Sequence, residues 1–340
     1  MKERESGLDI IKAFATLFVV CTHFYLSCGY YQTPIISNKM YIMTFCRWGF
    51  MIAVPLFLMC TGYFKANKKV TRDHYMSLVP IIITYVVLCT IRMVVENAVY
   101  GKIHTLESGI KSLLTFQSAW YVGMYIGLML LCPFLNKMWK SCTERERNIL
   151  LVSLVAITMV YPVIGYVFPS YFQFIYPVTY YLLGVYVKEY RPRINPLICI
   201  GAMIICTAIN ALITVRTANG GVYVPGILAA VDNGQNALTI SVCALAFFLL
   251  IYEVKINNKS IRKLFMSASN CSLEIYLLQA AFNAVIYTYL GRRVIGAEGY
   301  FWWFFITVPA SFLLSWAAAA AYKWIFNKVY SMKKGPRLLK

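Results

Sequence analysis

Apolar stretches long enough to cross a lipid bilayer recur ten times in this 340-residue chain. They lie at Leu8–Cys28, Phe45–Phe64, Tyr75–Val95, Ala119–Met138, Ile149–Phe168, Phe172–Val187, Pro196–Val215, Ala237–Tyr252, Ser267–Leu290 and Tyr300–Phe326. A spanning helix needs roughly 20 apolar residues to cross the hydrocarbon core. Apolar residues form 60% of the chain and charged residues only 13%, unlike a soluble protein. We therefore predict an all-α integral membrane protein, a bundle of about ten transmembrane helices in which residues 1–340 form a single domain.

The distribution of basic residues predicts how this bundle is oriented. With the N-terminus in the cytoplasm, 23 of the 32 lysines and arginines fall in inner segments and 6 in outer loops. The remaining three, Lys12, Arg47 and Arg92, fall inside predicted spans. Such asymmetry is the positive-inside pattern of multi-pass membrane proteins. It predicts that both termini are cytoplasmic, and it explains the net charge of +19 by the lipid bilayer rather than by nucleic acid.

The cysteines do not indicate a disulfide framework or a metal site. Most of the 11 lie in apolar spans, where cysteine acts as a small packing residue. No Cys-x-x-Cys or Cys/His spacing typical of zinc occurs. We therefore expect no metal.

The first predicted helix carries three ionisable residues that share one face. His23 follows Lys12 by eleven residues, which is three helical turns plus about 20°, with a rise of roughly 16 Å. Asp9 lies about one turn before Lys12. Ionisable side chains inside a membrane are costly and usually line a functional interior. Two structural alternatives remain: Lys12 and Asp9 would reach the headgroups or pair with each other, and His23 would be a packing residue.

Five segments, taken in order along nearly the whole chain, resemble the acyltransferase-3 family of bacterial membrane acyltransferases. They are Asp9–Lys12 with His23 (basic-x10-His), Arg47 with Val54–Phe57 and Thr61–Phe64, Ala119–Val122 with Tyr125, Leu128 and Pro133, Tyr181–Tyr186, and Ser269–Gln279. Two positions depart from the family pattern: Gln279 stands where a histidine is common, and Glu274 where a neutral residue is usual.

The resemblance implies an O-acyltransferase of the bacterial inner membrane. Such an enzyme would move an acyl group, most often acetyl, from cytoplasmic acetyl-CoA to a hydroxyl of a cell-envelope glycan or lipid-linked sugar. His23 would be the general base. The 16 Å between Lys12 and His23 is comparable to the length of a phosphopantetheine arm, so Lys12 would hold the phosphates of the donor.

The other candidate residues divide between the two substrates. Asp9, Glu274 and Tyr276 are expected near the donor with Lys12, although Glu274 and Tyr276 would equally satisfy each other across the bundle. Arg47 would hold the acceptor hydroxyls or stabilise the oxyanion, or anchor its helix at the interface.

Two further aromatic residues and one ion pair complete these expectations. Trp120 and Tyr121 would stack on a sugar, line the acyl channel, or belong to an interfacial aromatic belt. Arg92 has Glu96 four residues later as an ion-pair partner.

A transporter or flippase is the alternative from another functional class. Lys12, His23 and Glu274 would then form a proton or substrate pathway, because buried titratable residues serve that role equally well. No convincing internal repeat is present, which weakens a transporter built from inverted halves.

Overall fold

The computed structural model describes residues 5–160, 170–224 and 234–334, and every regular element in these ranges is helical. The α-helices, numbered here in chain order, are α1 Ser6–Ser27, α2 Asn38–Phe50, α3 Ala53–Lys65, α4 Arg72–Met76, α5 Val79–Tyr100, α6 Leu106–Leu114, α7 Trp120–Ser141, α8 Glu144–Val155, α9 Tyr176–Tyr190, α10 Pro196–Ala218, α11 Leu238–Ile251, α12 Lys259–Asn270, α13 Ser272–Gly291, α14 Gly296–Tyr300 and α15 Phe304–Lys334. Shorter helical turns occupy Tyr30–Gln32, Ala156–Val160 and Ser170–Ile175.

The all-helical membrane architecture is confirmed for the described ranges. Six segments are long and apolar enough to span a bilayer: Ser6–Ser27, Asn38–Lys65, Arg72–Tyr100, Trp120–Ser141, Pro196–Ala218 and Phe304–Val329. Helix occurs in the described part of each of the ten predicted spans, and residues 161–168 of the fifth lie outside it. The number of ten spans and the cytoplasmic location of the termini stay predictions.

Turns divide several predicted spans, two of them at apolar residues within long stretches. The stretch Phe45–Phe64 consists of α2 and α3, separated at Met51 and Ile52, and the stretch Ser267–Leu290 is interrupted at Cys271 between α12 and α13. Asn258 caps the start of α12 by accepting hydrogen bonds from two backbone amides. Hydropathy misses these turns because the residues within them are themselves apolar.

Helix α1 lies in the interior of the bundle and packs against α2, α3, α11, α12, α13 and α15. Its first half is anchored by side chains: Ser6 Oγ donates to the Val254 carbonyl at 3.0 Å, and Lys12 Nζ donates to the Ser269 carbonyl at 2.8 Å. Lys323 of α15 bonds the neighbouring Asn270 carbonyl. The start of α1 and the later part of α15 therefore flank one α12–α13 junction, called here the Lys12 end; the opposite end of the bundle is called the far end.

The segment between α5 and α7 is held against α5 by an ionic cluster. Arg92 Nε lies 2.7 Å from Glu96 Oε1, which confirms the expected i,i+4 pair. His104 Nε2 lies 2.9 Å from the other carboxylate oxygen of Glu96. Arg92 also donates to the Ser118 carbonyl at 2.7 Å, so the cluster positions the chain just before α7 begins.

Polar side chains join α13 to α15 along most of their length. Tyr287 bonds Thr307 at 3.2 Å, Asn283 accepts from Ser311 at 2.7 Å, and Glu274 pairs with Lys323 at 3.3 Å. Interhelical hydrogen bonds of this kind help hold helices together in lipid, where apolar surface provides no driving force.

Two glycines allow α3 and α9 to approach closely. A Cβ at Gly62 would overlap the carbonyl oxygen of Tyr181, and a Cβ at Gly184 would overlap that of Met59. Small residues of this kind are typical of close helix packing in membranes. Gly62 therefore contributes through its backbone, by allowing this close contact.

Gly62→Ala and Gly184→Ala are expected to destabilise the protein, because each added methyl group would force the two helix backbones apart. Overpacking a tight contact costs about 1–3 kcal/mol. The matched control is Gly201→Ala in α10, where an added Cβ meets nothing within 4 Å; it should leave stability unchanged or slightly higher. Thermal unfolding in detergent measures all three, and equal midpoints would contradict the close-packing argument.

Candidate active site

A cavity of about 960 Å³ lies between α1, α3, α5, α7, α13 and α15. On α1 its wall includes Lys12, Val19, Thr22, His23 and Leu26, so it extends along at least three turns of that helix. The predicted common face of Lys12 and His23 is therefore a cavity wall. Of the other candidate residues, Trp120, Tyr121, Glu274 and Tyr276 also line it.

Cationic side chains gather at the Lys12 end of the cavity. Lys12 is joined there by Lys65 from the last turn of α3 and Lys323 from α15. The helix ends at this level also contribute Asn270 and Ser272 to the wall. Asp9 is buried one turn before Lys12 and is not among the side chains that line the cavity.

Glu274 contacts a partner that the sequence did not indicate. Its carboxylate is only 8% exposed and lies 3.3 Å from Lys323 Nζ. Glu274 therefore stands at the cation-rich end as half of an ion pair with α15. Lys323 was missed because it lies near the end of the last apolar stretch, where lysines usually reach the headgroups.

His23 faces the cavity at a deeper level, next to aromatic side chains. Its imidazole centroid lies 6.4 Å from the ring of Tyr276, which in turn lies 5.9 Å from Tyr121. Neither ring nitrogen of His23 makes a hydrogen bond to any residue in the described ranges, whereas its backbone carbonyl accepts one from the Ser27 hydroxyl. A neutral imidazole whose ring nitrogens face the cavity without a protein partner is able to accept a proton from a ligand there.

The far end of the cavity is aromatic and neutral. Trp120 and Tyr121 begin α7 there, and Trp120 is 40% exposed. Tyr31 and Gln235 also line the cavity, and sequence reasoning did not identify either. Both lie in connections between helices, so no helical periodicity marks them.

Arg47 lies behind this wall rather than in it. Its side chain is fully buried, and its Nε donates to the Tyr31 phenol oxygen at 3.0 Å. The rings of Tyr31, Trp48 and Tyr223 surround the guanidinium, with centroids 5.4, 4.8 and 4.6 Å from its carbon. Tyr31 therefore connects Arg47 to the cavity, because it both lines the cavity and accepts from Arg47.

Comparison with known protein families agrees with the resemblance that the sequence motifs indicate. A family model for an acyltransferase domain, that of the acyltransferase-3 family, matches residues 5–320. The chain belongs to the acyltransferase-3 family. Neither the curated proteins nor the solved structures include a significant match. Membership supports a membrane acyltransferase, and the cavity that contains the basic-x10-His residues is its candidate active site.

A matched pair of threonines on α1 tests the cavity of this acyltransferase. Thr22 lines the cavity, whereas Thr16 is buried and lies outside its wall; each hydroxyl donates to a carbonyl of the preceding turn. We expect a small maleimide to modify Thr22→Cys and to leave Thr16→Cys unmodified. Peptide mass spectrometry locates the label despite the native cysteines, of which Cys60 also borders the cavity. Equal labelling at both positions would contradict this wall.

Proposed function

We propose that this protein is an O-acyltransferase of the bacterial inner membrane that moves an acetyl group from acetyl-CoA to a hydroxyl of a cell-envelope glycan or lipid-linked sugar. The observation that carries the proposal is one cavity with lysines at one end, His23 within it and aromatic side chains at the far end. Family membership supplies the reaction class. The proposed orientation places the Lys12 end toward the cytoplasm, where acetyl-CoA is made.

The charge at the Lys12 end suits a phosphorylated donor. Lys12, Lys65 and Lys323 would hold the phosphates of coenzyme A, while the pantetheine arm would extend along the apolar wall of α1 and α3. Tyr276 and Tyr121 would line the passage to the thioester, and Glu274 would orient Lys323. The roughly 16 Å separation of Lys12 and His23 along α1 matches such an extended arm.

His23 would act first as a base and then as an acid. It would take the proton of the acceptor hydroxyl while that oxygen attacks the thioester carbonyl. The new C–O bond forms, the C–S bond breaks, and the coenzyme A thiolate receives the proton from His23. The products are the ester and free coenzyme A, with no net change in oxidation state and no metal required by the step.

A detergent assay tests the proposal directly. Purified protein given acetyl-CoA and a cell-envelope glycan extract, deacylated beforehand with mild base, should release coenzyme A and form ester-linked acetate without any membrane gradient. His23→Ala should lower this rate by about 10²–10⁴-fold, the usual effect of losing a general base. Thiol detection measures coenzyme A, and mass spectrometry measures the ester.

The controls separate this function from transport. His104→Ala removes a histidine that contacts Glu96 outside the cavity, and it should keep most of the activity. A His23→Ala protein that folds and retains full activity would contradict the base. Gradient-driven uptake of solute into proteoliposomes, together with no thioester cleavage, would favour the transporter instead.

Lys12→Ala should weaken acetyl-CoA binding about 10- to 100-fold, the effect expected for a charge-assisted hydrogen bond to phosphate. Lys12→Arg should restore most of the affinity, because either cation neutralises phosphate. Isothermal titration with a thioether analogue of acetyl-CoA measures the change.

Two checks accompany the Lys12 measurement. Lys328→Ala removes a lysine of α15 that stacks on Trp324 and does not line the cavity, so its affinity should equal that of the wild type. Thermal unfolding shows whether loss of the Lys12 bond to Ser269 alters the fold. Unchanged affinity in a folded Lys12→Ala protein would assign Lys12 a purely structural role.

A further inference from the structure

Arg47 is a buried cation whose charge no described side chain neutralises. Its side chain is 0% exposed, and neither Nη1 nor Nη2 has a hydrogen-bond partner among the described residues. Nε donates to the phenol oxygen of Tyr31. A buried cation is costly unless its surroundings stabilise it, and the described part of these surroundings consists of aromatic rings and the Tyr31 phenol oxygen.

The Arg47 guanidinium changes the hydrogen-bonding strength of the Tyr31 phenol. A phenol carries one O–H donor besides its acceptor lone pairs, and a charged donor bonded to the oxygen makes the O–H a stronger donor. No described residue accepts a hydrogen bond from Tyr31, and the side chain lines the cavity. The O–H is therefore available to a ligand at the far end of the cavity.

Gln235 supplies a hydrogen-bond acceptor that complements the Tyr31 donor. Gln235 also lines the cavity, the residue is 8% exposed, and its buried Oε1 has no hydrogen-bond partner among the described residues. Its backbone is fixed, because Tyr180 Oη donates to the Gln235 carbonyl at 2.7 Å. The cavity wall thus offers one strengthened donor and one unused acceptor, together with the exposed face of Trp120.

Chain direction places both residues at the far end, away from the lysines. Tyr31 follows the end of α1, eight residues after His23, and Gln235 precedes α11. Helix α11 ends beside Gly7 at the Lys12 end, because a Cβ at Gly7 would overlap the Ile251 carbonyl oxygen. The start of α11, and Gln235 with it, is therefore at the opposite end.

We propose that Tyr31 and Gln235 form the acceptor subsite, and that Arg47 is the positioning residue of Tyr31. This rests on the proposed acyltransferase function. Tyr31 donates to one oxygen of the acceptor and Gln235 Oε1 accepts from a hydroxyl, while Trp120 packs on the ring face. A ring with neighbouring hydroxyls, as in a neutral sugar, presents this pair of groups together.

The test separates binding of the two substrates. Coenzyme A release is measured while either acetyl-CoA or the base-deacylated glycan extract is varied. Tyr31→Phe should raise the apparent KM for the extract about tenfold, the effect of one charge-assisted hydrogen bond, and change the KM for acetyl-CoA less than twofold. Gln235→Met should do the same. Arg47→Met should match Tyr31→Phe, and Arg47→Lys should recover part of the loss, because an ammonium group still donates to the phenol.

Tyr30→Phe is the matched control. Tyr30 is adjacent in sequence and fully buried, its hydroxyl bonds Thr44 at 2.7 Å, and it does not line the cavity. Both KM values should stay at the wild-type level.

The outcomes distinguish failure of the acceptor subsite from failure of the proposed acyltransferase function. An unchanged KM for the extract in folded Tyr31→Phe and Gln235→Met, or equal rises in both KM values, would overturn the acceptor subsite alone. A wild-type protein that releases no coenzyme A overturns the proposed function, and the subsite with it. Thermal unfolding of each variant identifies a loss that comes from misfolding.

Discussion

The burial of α1 among helices from both halves of the chain fixes the geometry of the whole cavity. An apolar helix in this position can carry Lys12 and His23 only where neighbouring helices or a cavity receive them, because lipid cannot solvate either group. The α12–α13 junction receives Lys12 through the Ser269 carbonyl. His23 instead faces the open interior. One helix therefore holds a cation and an imidazole three turns apart, and its rigidity keeps that distance constant.

The sequence predicts the parts of this arrangement that lie within single helices. The common face of Lys12 and His23 and the Arg92–Glu96 pair follow from helical spacing alone, and the structure contains both. The membrane class follows from the length of the apolar stretches. These features are local, so the period of one helix is enough to reveal them.

Contacts between residues of different helices could not be predicted from helical spacing. Lys323 joins Glu274 across 49 residues, and Arg47 reaches Tyr31 from a different helix. The turns at Met51 and at Cys271 were missed because apolar residues occupy them. Arg47 is fully buried and donates to Tyr31, a connection residue that no helical pattern identifies.

The two ends of the cavity differ in how their charges are balanced, and this difference gives the site a direction. At the Lys12 end, three lysines line the cavity, and Glu274 forms an ion pair with one of them, Lys323. At the far end, aromatic rings surround the Arg47 guanidinium, and its Nε donates to the Tyr31 phenol. Under the proposed function, the phosphates of the donor would bind in the first environment and the neutral hydroxyls of the acceptor in the second. His23 lies between them, at the level where an acyl carbonyl from one side and a hydroxyl from the other would meet.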